Sequence, residues 1–339
     1  MDVTGVALVV TVDVEADDQW GDGRRQTLRN LASLPRLAQL LSRHRVPATF
    51  LTSYEVAADP DGRARLAEVA AQGAEVGAHF HPWTVPPDDP ACPPGRRGEH
   101  PFPSSLSEEL FAAKFETLHR TLAEAFGRPP TAYRAGRLGV HGPTVRALEA
   151  HGYVADTSVV PLSDWSGYVD TTGGRGPCFV HAPRRPYRPD REDPTHPGEA
   201  QLLEVPVTVC VPPRARALGG LLPGVMRRGP VRAGLRRGLG LVGALPRVLR
   251  VFPRTRVEEL LACARSARED GAQVLVTYFH SSELFPGTSP YNPGAREVDA
   301  FFDKLDGLLA GLCAAGAQGR TLSDYARAAL AQQEGRDAR

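Results

Sequence analysis

Glu75-Val76-Gly77-Ala78-His79-Phe80-His81-Pro82-Trp83 is a short apolar run that ends in two histidines one residue apart. Earlier in the chain, the run from Val6 to Val12 leads into Thr11-Val12-Asp13-Val14-Glu15. Both runs read as strands. An extended strand turns alternate residues to the same face, so His79 and His81 share one side, as do Asp13 and Glu15. Two imidazoles and two carboxylates meeting at strand ends form a set that binds a divalent metal and activates water, which points to a hydrolase. Taken alone, Asp-x-Glu after a strand is usually a solvated turn or helix cap, and His-x-His a packed or hydrogen-bonded pair. Their company favours the metal: Arg134, Asp156 and His280 each follow a further apolar run. A parallel βα array gathers its site residues in this way, at the carboxyl ends of its strands.

The rest of the chain supplies that array. A helix near Gln26 to His44 carries Leu28, Leu31, Leu34, Leu37 and Leu41 on helical spacing, and Pro47 separates it from a strand at Ala48 to Leu51. Helix Gly62 to Gln72 ends at Gly73 before strand Ala74 to Ala78, and a Pro-rich loop, long enough for a binding loop or lid, runs from Pro82 to Pro103. Ser107 caps a helix to Phe126; strand Ala132 to Arg134, helix Pro143 to His151 and strand Tyr153 to Ala155 follow. Residues Gly173 to Gly198 read as loops, and Leu202 to Val211 as a strand. Helix Val257 to Asp270, strand Val274 to Phe279, a helix to Ala315 and a last helix from Ser323 complete the chain. Strands alternating with helices predict an α/β fold with a parallel sheet, open or closed to a barrel.

Composition narrows the class. The 339 residues are 42% hydrophobic and 23% charged, ordinary for a soluble globular chain, and the formal net charge of +1 selects no nucleic acid or other polyanion. Met1-Asp2-Val3-Thr4 has no basic leader, and no apolar stretch approaches membrane-spanning length. The five cysteines (Cys92, Cys178, Cys210, Cys263 and Cys313) are scattered without a Cys-x-x-Cys. They suggest a reducing, cytoplasmic setting with neither a disulfide framework nor a thiolate metal site.

In chain order these pieces resemble the polysaccharide deacetylase superfamily, the NodB-homology enzymes. Thr11 to Glu15 is similar to the first family motif, in which one acid is the catalytic base and the next a metal ligand. Glu75 to His81 is similar to the histidine motif, and Tyr133-Arg134-Ala135-Gly136 stands where the family has an arginine that orients the base. Asp156-Thr157-Ser158, followed by Asp164-Trp165, resembles the fourth motif, and Thr277 to Leu284 the fifth, whose His280 would be the general acid. The sequence departs at two places: Val14 separates the two acids, and Trp83 occupies the usual place of the second histidine, so His81 must substitute. The resemblance covers most of the chain outside Arg214 to Arg256 and implies a distorted (β/α)7 barrel, a single domain over residues 1–339.

The chemistry that follows is amide hydrolysis. Glu15, His79 and His81 would hold a divalent ion such as Zn²⁺, with Asp13 as general base; the alternative has Asp13 as the ligand and Glu15 as the base. Arg134 would keep Asp13 ionised, and His280 would protonate the leaving nitrogen with Asp156 keeping it charged. Each has a plainer reading: Arg134 as a structural ion pair, Asp156 as a turn cap, His280 as a packed strand-end residue. Trp83 and Trp165 are core residues or, in a cleft, stacking faces for a sugar. His100, His181 and His196 lie in Pro-rich loops and read as solvated. The expected activity is removal of an acyl group, acetyl foremost, from an amino sugar or glycoconjugate. A metal-independent amide hydrolase on the same fold and a catalytically silent carbohydrate-binding relative are the alternatives.

Residues 214–256 carry eleven arginines and no acidic residue. They read as a helical insertion, either simply solvated or, with leucines and valines among the arginines, suited to an anionic membrane surface or a phosphate-bearing substrate. Burying these arginines would cost several kcal/mol each, about the effective penalty for an unpaired ion, so the segment is expected beside the mouth of the site or on one exposed basic face, not within the barrel wall.

Overall fold

The computed structural model describes residues 5–17, 19, 27–90, 101–170 and 173–337. The readings made at Met1 to Thr4, Gln26, Cys92 and His100, and over residues 91–100 of the Pro-rich loop, lie outside them. Ten strands are described: β1 (Ala7–Val14), β2 (Ala48–Thr52), β3 (Glu75–Phe80), β4 (Ala132–Ala135), β5 (Ala155–Asp156), β6 (Leu203–Glu204), β7 (Val209–Cys210), β8 (Arg247–Val248), β9 (Val274–His280) and β10 (Gln318–Gly319). Around them run α1 (Leu34–Arg43), α2 (Tyr54–Ala58), α3 (Pro60–Ala70), α4 (Glu108–Phe126), α5 (Gly142–Ala150), α6 (Pro213–Arg216), α7 (Leu222–Met226), α8 (Pro230–Leu241), α9 (Val257–Glu269), α10 (Ala295–Ala314) and α11 (Leu322–Asp337).

β1 pairs in parallel with both β9 and β2, and the parallel sheet continues through β3, β4 and β5 to β6; β10 joins only at Ala7 and Leu8. The sheet curls until the chain beyond β6 reaches β9. There the Thr208 N–H donates to the Val276 carbonyl at 3.1 Å, and the Val276 N–H donates to Thr208 Oγ1 at 2.8 Å. The result is an α/β fold whose mostly parallel sheet is curled into a distorted barrel, as the resemblance implied. Pro206, which has no N–H to give a ladder, falls between β6 and β7 where the sequence suggested one strand. Local signals account for several helix ends: Asp59 caps α3 through the Gly62 N–H at 2.8 Å, Ser107 caps α4, and Gly127 (φ 67°) ends it in a left-handed turn.

Every residue of β1 is buried because both faces of the strand are covered. Leu8, Val10, Val12 and Val14 pack outward against α1, α9 and α10, whereas Ala7 and Val9 point into the barrel. The inward set is small and apolar at the amino ends of the strands, where Leu322, Tyr325, Ala326 and Leu330 of α11 close the floor. At the carboxyl ends the same inward face becomes polar, and that change places the site.

Two expectations are corrected. Cys210 in β7 and Cys263 in α9 form a disulfide with their Cα atoms 5.3 Å apart, across a sequence separation of 53. Spacing along the chain could not show this, because only packing of α9 against β7 brings them together. The Arg-rich segment is also not uniformly exposed. It leaves the barrel after β7, forms α6 to α8, and returns as β8, which pairs antiparallel with β7. Just beyond β8, Leu249 and Val251 enter the outer core, and Arg250 between them turns inward and is buried. Its burial is tolerated because Glu283, outside the segment, provides the missing anion.

Candidate active site

Strand parity assembles the site. The inward positions of β1 are Ala7, Val9, Thr11 and Asp13, and Glu15 follows in the same phase; those of β3 are Gly77 and His79, followed by His81. Arg134 of β4 and Tyr278 and His280 of β9 complete the ring. Asp13 and His280 are register partners on neighbouring strands. An open cavity of about 320 Å³ is lined by Asp13, Glu15, His79, His81 and His280 on its floor, with Trp83, Trp165, Tyr168 and Tyr291 among the walls.

Glu15, His79 and His81 present ligand atoms that lie within 4.8 Å of one another. Glu15 Oε2 is 2.7 Å from His81 Nε2 and 3.5 Å from His79 Nε2. His79 Nδ1 lies 2.9 Å from the Arg134 carbonyl, to which it donates, fixing the tautomer that leaves a lone pair on Nε2. The backbone around Glu15 is held by Asn30, whose Nδ2 donates to the Glu15 carbonyl, and by Ser281 Oγ, which accepts from its N–H. Gly136 leaves room for His81: a Cβ there would overlap His81 Nδ1 and the Phe80 carbonyl oxygen, well inside van der Waals contact. A buried carboxylate with two imidazoles, one already oriented by a carbonyl, is a donor set that fits a Zn²⁺-type ion.

Burial alone would push the Glu15 carboxyl up, but hydrogen bonds from His79 and His81 carry it well below the usual range. Burial likewise raises Asp13, and the charges of Arg134, His79 and His280 outweigh it and bring Asp13 down. His81 is lowered by burial and by the neighbouring His79; His79, which burial also lowers, is raised on balance by Asp13 and Glu15.

Arg134 is fully buried and each of its three guanidinium nitrogens donates a hydrogen bond. Nη1 donates to Asp13 Oδ1 at 2.6 Å, Nη2 to Thr11 Oγ1 at 2.8 Å, and Nε to the Thr157 carbonyl at 2.9 Å. The second oxygen of Asp13 faces His280, with Oδ2 3.7 Å from Nε2. The other ring nitrogen of His280 is 3.0 Å from Glu283 Oε1, which also accepts the His280 backbone N–H at 2.9 Å. Arg250 Nη2 donates to the same oxygen at 2.6 Å, and its guanidinium lies 4.4 Å from the centre of the Tyr278 ring.

Asp156 does not take the place expected of it. In the register of β4 with β5, Ala132 pairs with Ala155 on the inner face, so Tyr133 and Asp156 face outward while Thr157 returns inward to Arg134. Asp156 instead meets Glu204, its register partner on β6, and accepts from Ser158 Oγ. Glu283 is the acid that holds His280. Both tryptophans reach the cavity: Trp83 packs on His81 with ring centres 4.3 Å apart, and Trp165 donates from Nε1 to Ser163 Oγ. Arg137, which had no sequence signal, leans over Trp83 from a left-handed backbone (φ 50°). Arg250, Glu283, Tyr168 and Tyr291 were likewise given no site role by sequence. The one available hint was Leu249-Arg250-Val251, a charged residue alternating with apolar ones as in a strand with one polar face.

Comparison with known proteins agrees with this geometry. Residues 17–155 match the family model for polysaccharide deacetylase, a span that holds both histidines and Arg134 but begins after Asp13 and Glu15. A structure from Mycobacterium smegmatis assigned as a polysaccharide deacetylase superposes with a TM-score of 0.56 at 17% identity, covering 98% of this chain and 93% of that one. One from Parabacteroides distasonis, assigned as a glycoside hydrolase/deacetylase, gives 0.60 at 13% identity, covering 97% and 72%. At these identities the likeness is one of fold. No curated protein sequence matches the chain. The chain is therefore similar to polysaccharide deacetylases in sequence over residues 17–155 and in fold over nearly its whole length.

Proposed function

We propose that this chain is a metal-dependent hydrolase of carbon–nitrogen bonds that removes an N-acyl group, acetyl foremost, from an amino sugar or glycoconjugate. The observation that carries this reading is the convergence of Glu15, His79 and His81 beside an Asp13–His280 pair on the floor of one aromatic-walled cavity. The match of residues 17–155 to the polysaccharide deacetylase model supports the hydrolysis. Glu15, His79 and His81 would hold the ion, which when bound supplies Lewis acidity.

The chain's own groups account for the proton movements. Asp13, kept ionised by Arg134, accepts a proton from the attacking water. Water oxygen joins the acyl carbon, the C–N bond breaks, and protonated His280 delivers a proton to the departing nitrogen, leaving a carboxylate and an amine. Glu283 orients His280 through Nδ1, while Arg250 holds Glu283 in place. Trp83 and Trp165 offer flat apolar faces of the kind that pack against a sugar ring.

The test pairs metal analysis of the purified protein with acetate release from N-acetylglucosamine oligomers. One ion per chain and acetate release that stops on chelation and returns with metal are expected. Turnover by metal-free protein would instead select the metal-independent hydrolase. Oligomer binding without turnover, with metal present, would select the silent relative.

A further inference from the structure

Of the seven large apolar side chains exposed among the described residues, five (Leu221, Val231, Leu235, Leu241 and Val242) belong to the excursion between β7 and β8. Val231 is 79% exposed and Leu241 84%, values typical of side chains with nothing packed on them. No residue of α8 is buried, and only Arg236 and Leu239 turn partly toward the protein. Val231, Leu235 and Val242 recur at helical spacing, so they form one outward stripe, with Gly234 and Gly238 beside it.

Arg232 and Arg237 flank that stripe and Arg227 precedes the helix; all three are exposed, and none of their guanidiniums meets an acid or a hydrogen-bond partner among the described residues. The whole stretch from 212 to 257 contains no Asp or Glu. An outward apolar stripe edged by unpaired arginines is complementary to a surface with an apolar interior and an anionic boundary, where the arginine stems lie along the apolar layer and the heads meet phosphate.

The surface also adjoins the cavity mouth. The Arg228 N–H donates to Asp164 Oδ2 at 2.6 Å, and its guanidinium lies 5.3 Å from the centre of the Tyr168 ring, which lines the cavity. Tyr168 and Val169 are the other two exposed large apolar side chains.

We propose that α8 and its flanking turns are a peripheral docking surface for an anionic lipid bilayer, setting the mouth of the cavity beside the membrane. This rests on the surface alone and is independent of the reaction assigned to the cavity. The full chain is sedimented with phosphatidylcholine vesicles and with vesicles containing about one-third phosphatidylglycerol. Partition into the anionic vesicles should exceed that into neutral ones by about ten-fold at low salt and fall as salt shortens the screening length.

Two double variants, Leu235→Ser with Leu241→Ser and Arg232→Gln with Arg237→Gln, should each lower the partition by about five-fold or more, since a stripe and its charges act together. Their melting temperatures should match the parent, because the altered side chains are exposed. Absence of binding to anionic vesicles at low salt, or equal binding by parent and both variants, overturns the proposal. Self-association of the lipid-free parent that Leu235→Ser with Leu241→Ser abolishes, without vesicle binding, would assign the face to a second copy instead.

Discussion

Asp13 and Glu15 share one strand face, yet their neighbours give them different work. Asp13 is bonded by Arg134 and faces His280; Glu15 is bonded by both imidazoles. Asp13→Asn should therefore abolish turnover, with kcat down about a hundred-fold or more, while metal content is retained. Glu15→Gln should lose the metal. The reverse pattern in paired metal and acetate assays would exchange the two roles.

Glu283→Gln should lower kcat about ten-fold with KM unchanged, since the amide can still accept the His280 backbone N–H but holds the ring in place less firmly than a carboxylate does. Arg250→Met leaves the Glu283 carboxylate buried without its guanidinium. A loss of about 3–5 kcal/mol, read by denaturant unfolding, is expected, and a loss within error would show the pair to be dispensable. The convergence of Asp13, Glu15, His79 and His81 was readable because they are neighbours in sequence, two by two. The Arg250–Glu283 pair was not, because its halves are separated by a helix and a strand and only barrel closure joins them.

Element-scale parity explains both the success and the failure among the site residues. Along β1, β3 and β9 the polar residues fall in the inward phase, so reading them as convergent was sound. Along β5 Asp156 falls in the opposite phase, pairing across the sheet with Tyr133 and Glu204 on the outer face. A one-residue error in phase moves a side chain to the opposite surface.

This outer pair has its own consequence for stability. Burial raises Asp156 to about 6, and burial with the neighbouring Asp156 charge raises Glu204 well above its usual value. A carboxyl raised in the fold binds its proton more tightly there than in the unfolded chain, so its stabilisation is complete below about pH 4. That stabilisation is lost as pH rises through the unfolded value toward the folded ones. Glu204→Gln should remove most of the decline across pH 4 to 7 and be the more stable form at neutral pH. Thermal melts of both proteins at several pH values test this; parallel curves would mean the pair does not titrate in the window.

At the scale of the whole molecule, α11 closes the barrel opposite the cavity. Leu322 is fully buried against the inward residues at the amino ends of the strands, far along β1 from Asp13. Leu322→Ala should cost about 2–4 kcal/mol through lost burial and the cavity left behind, lowering the melting temperature. It should leave kcat unchanged at temperatures where the protein is folded. A fall in kcat would mean that the floor sets the positions of the catalytic strand ends.

Apolar periodicity determined the alternation of strands and helices, since burial on a 2.0 or 3.6 repeat needs only neighbours in sequence. The same local logic determined the convergence of Asp13, Glu15, His79 and His81 and the place of Arg134 and His280 at strand ends. Tertiary structure alone decided four things: the phase of β5, the Cys210–Cys263 disulfide, the inward turn of Arg250 to Glu283, and the packing of Trp83 and Trp165 into one cavity. Each depends on which strand lies beside which, and at what register, and the closing of the sheet at Thr208 fixes that after the individual elements have formed.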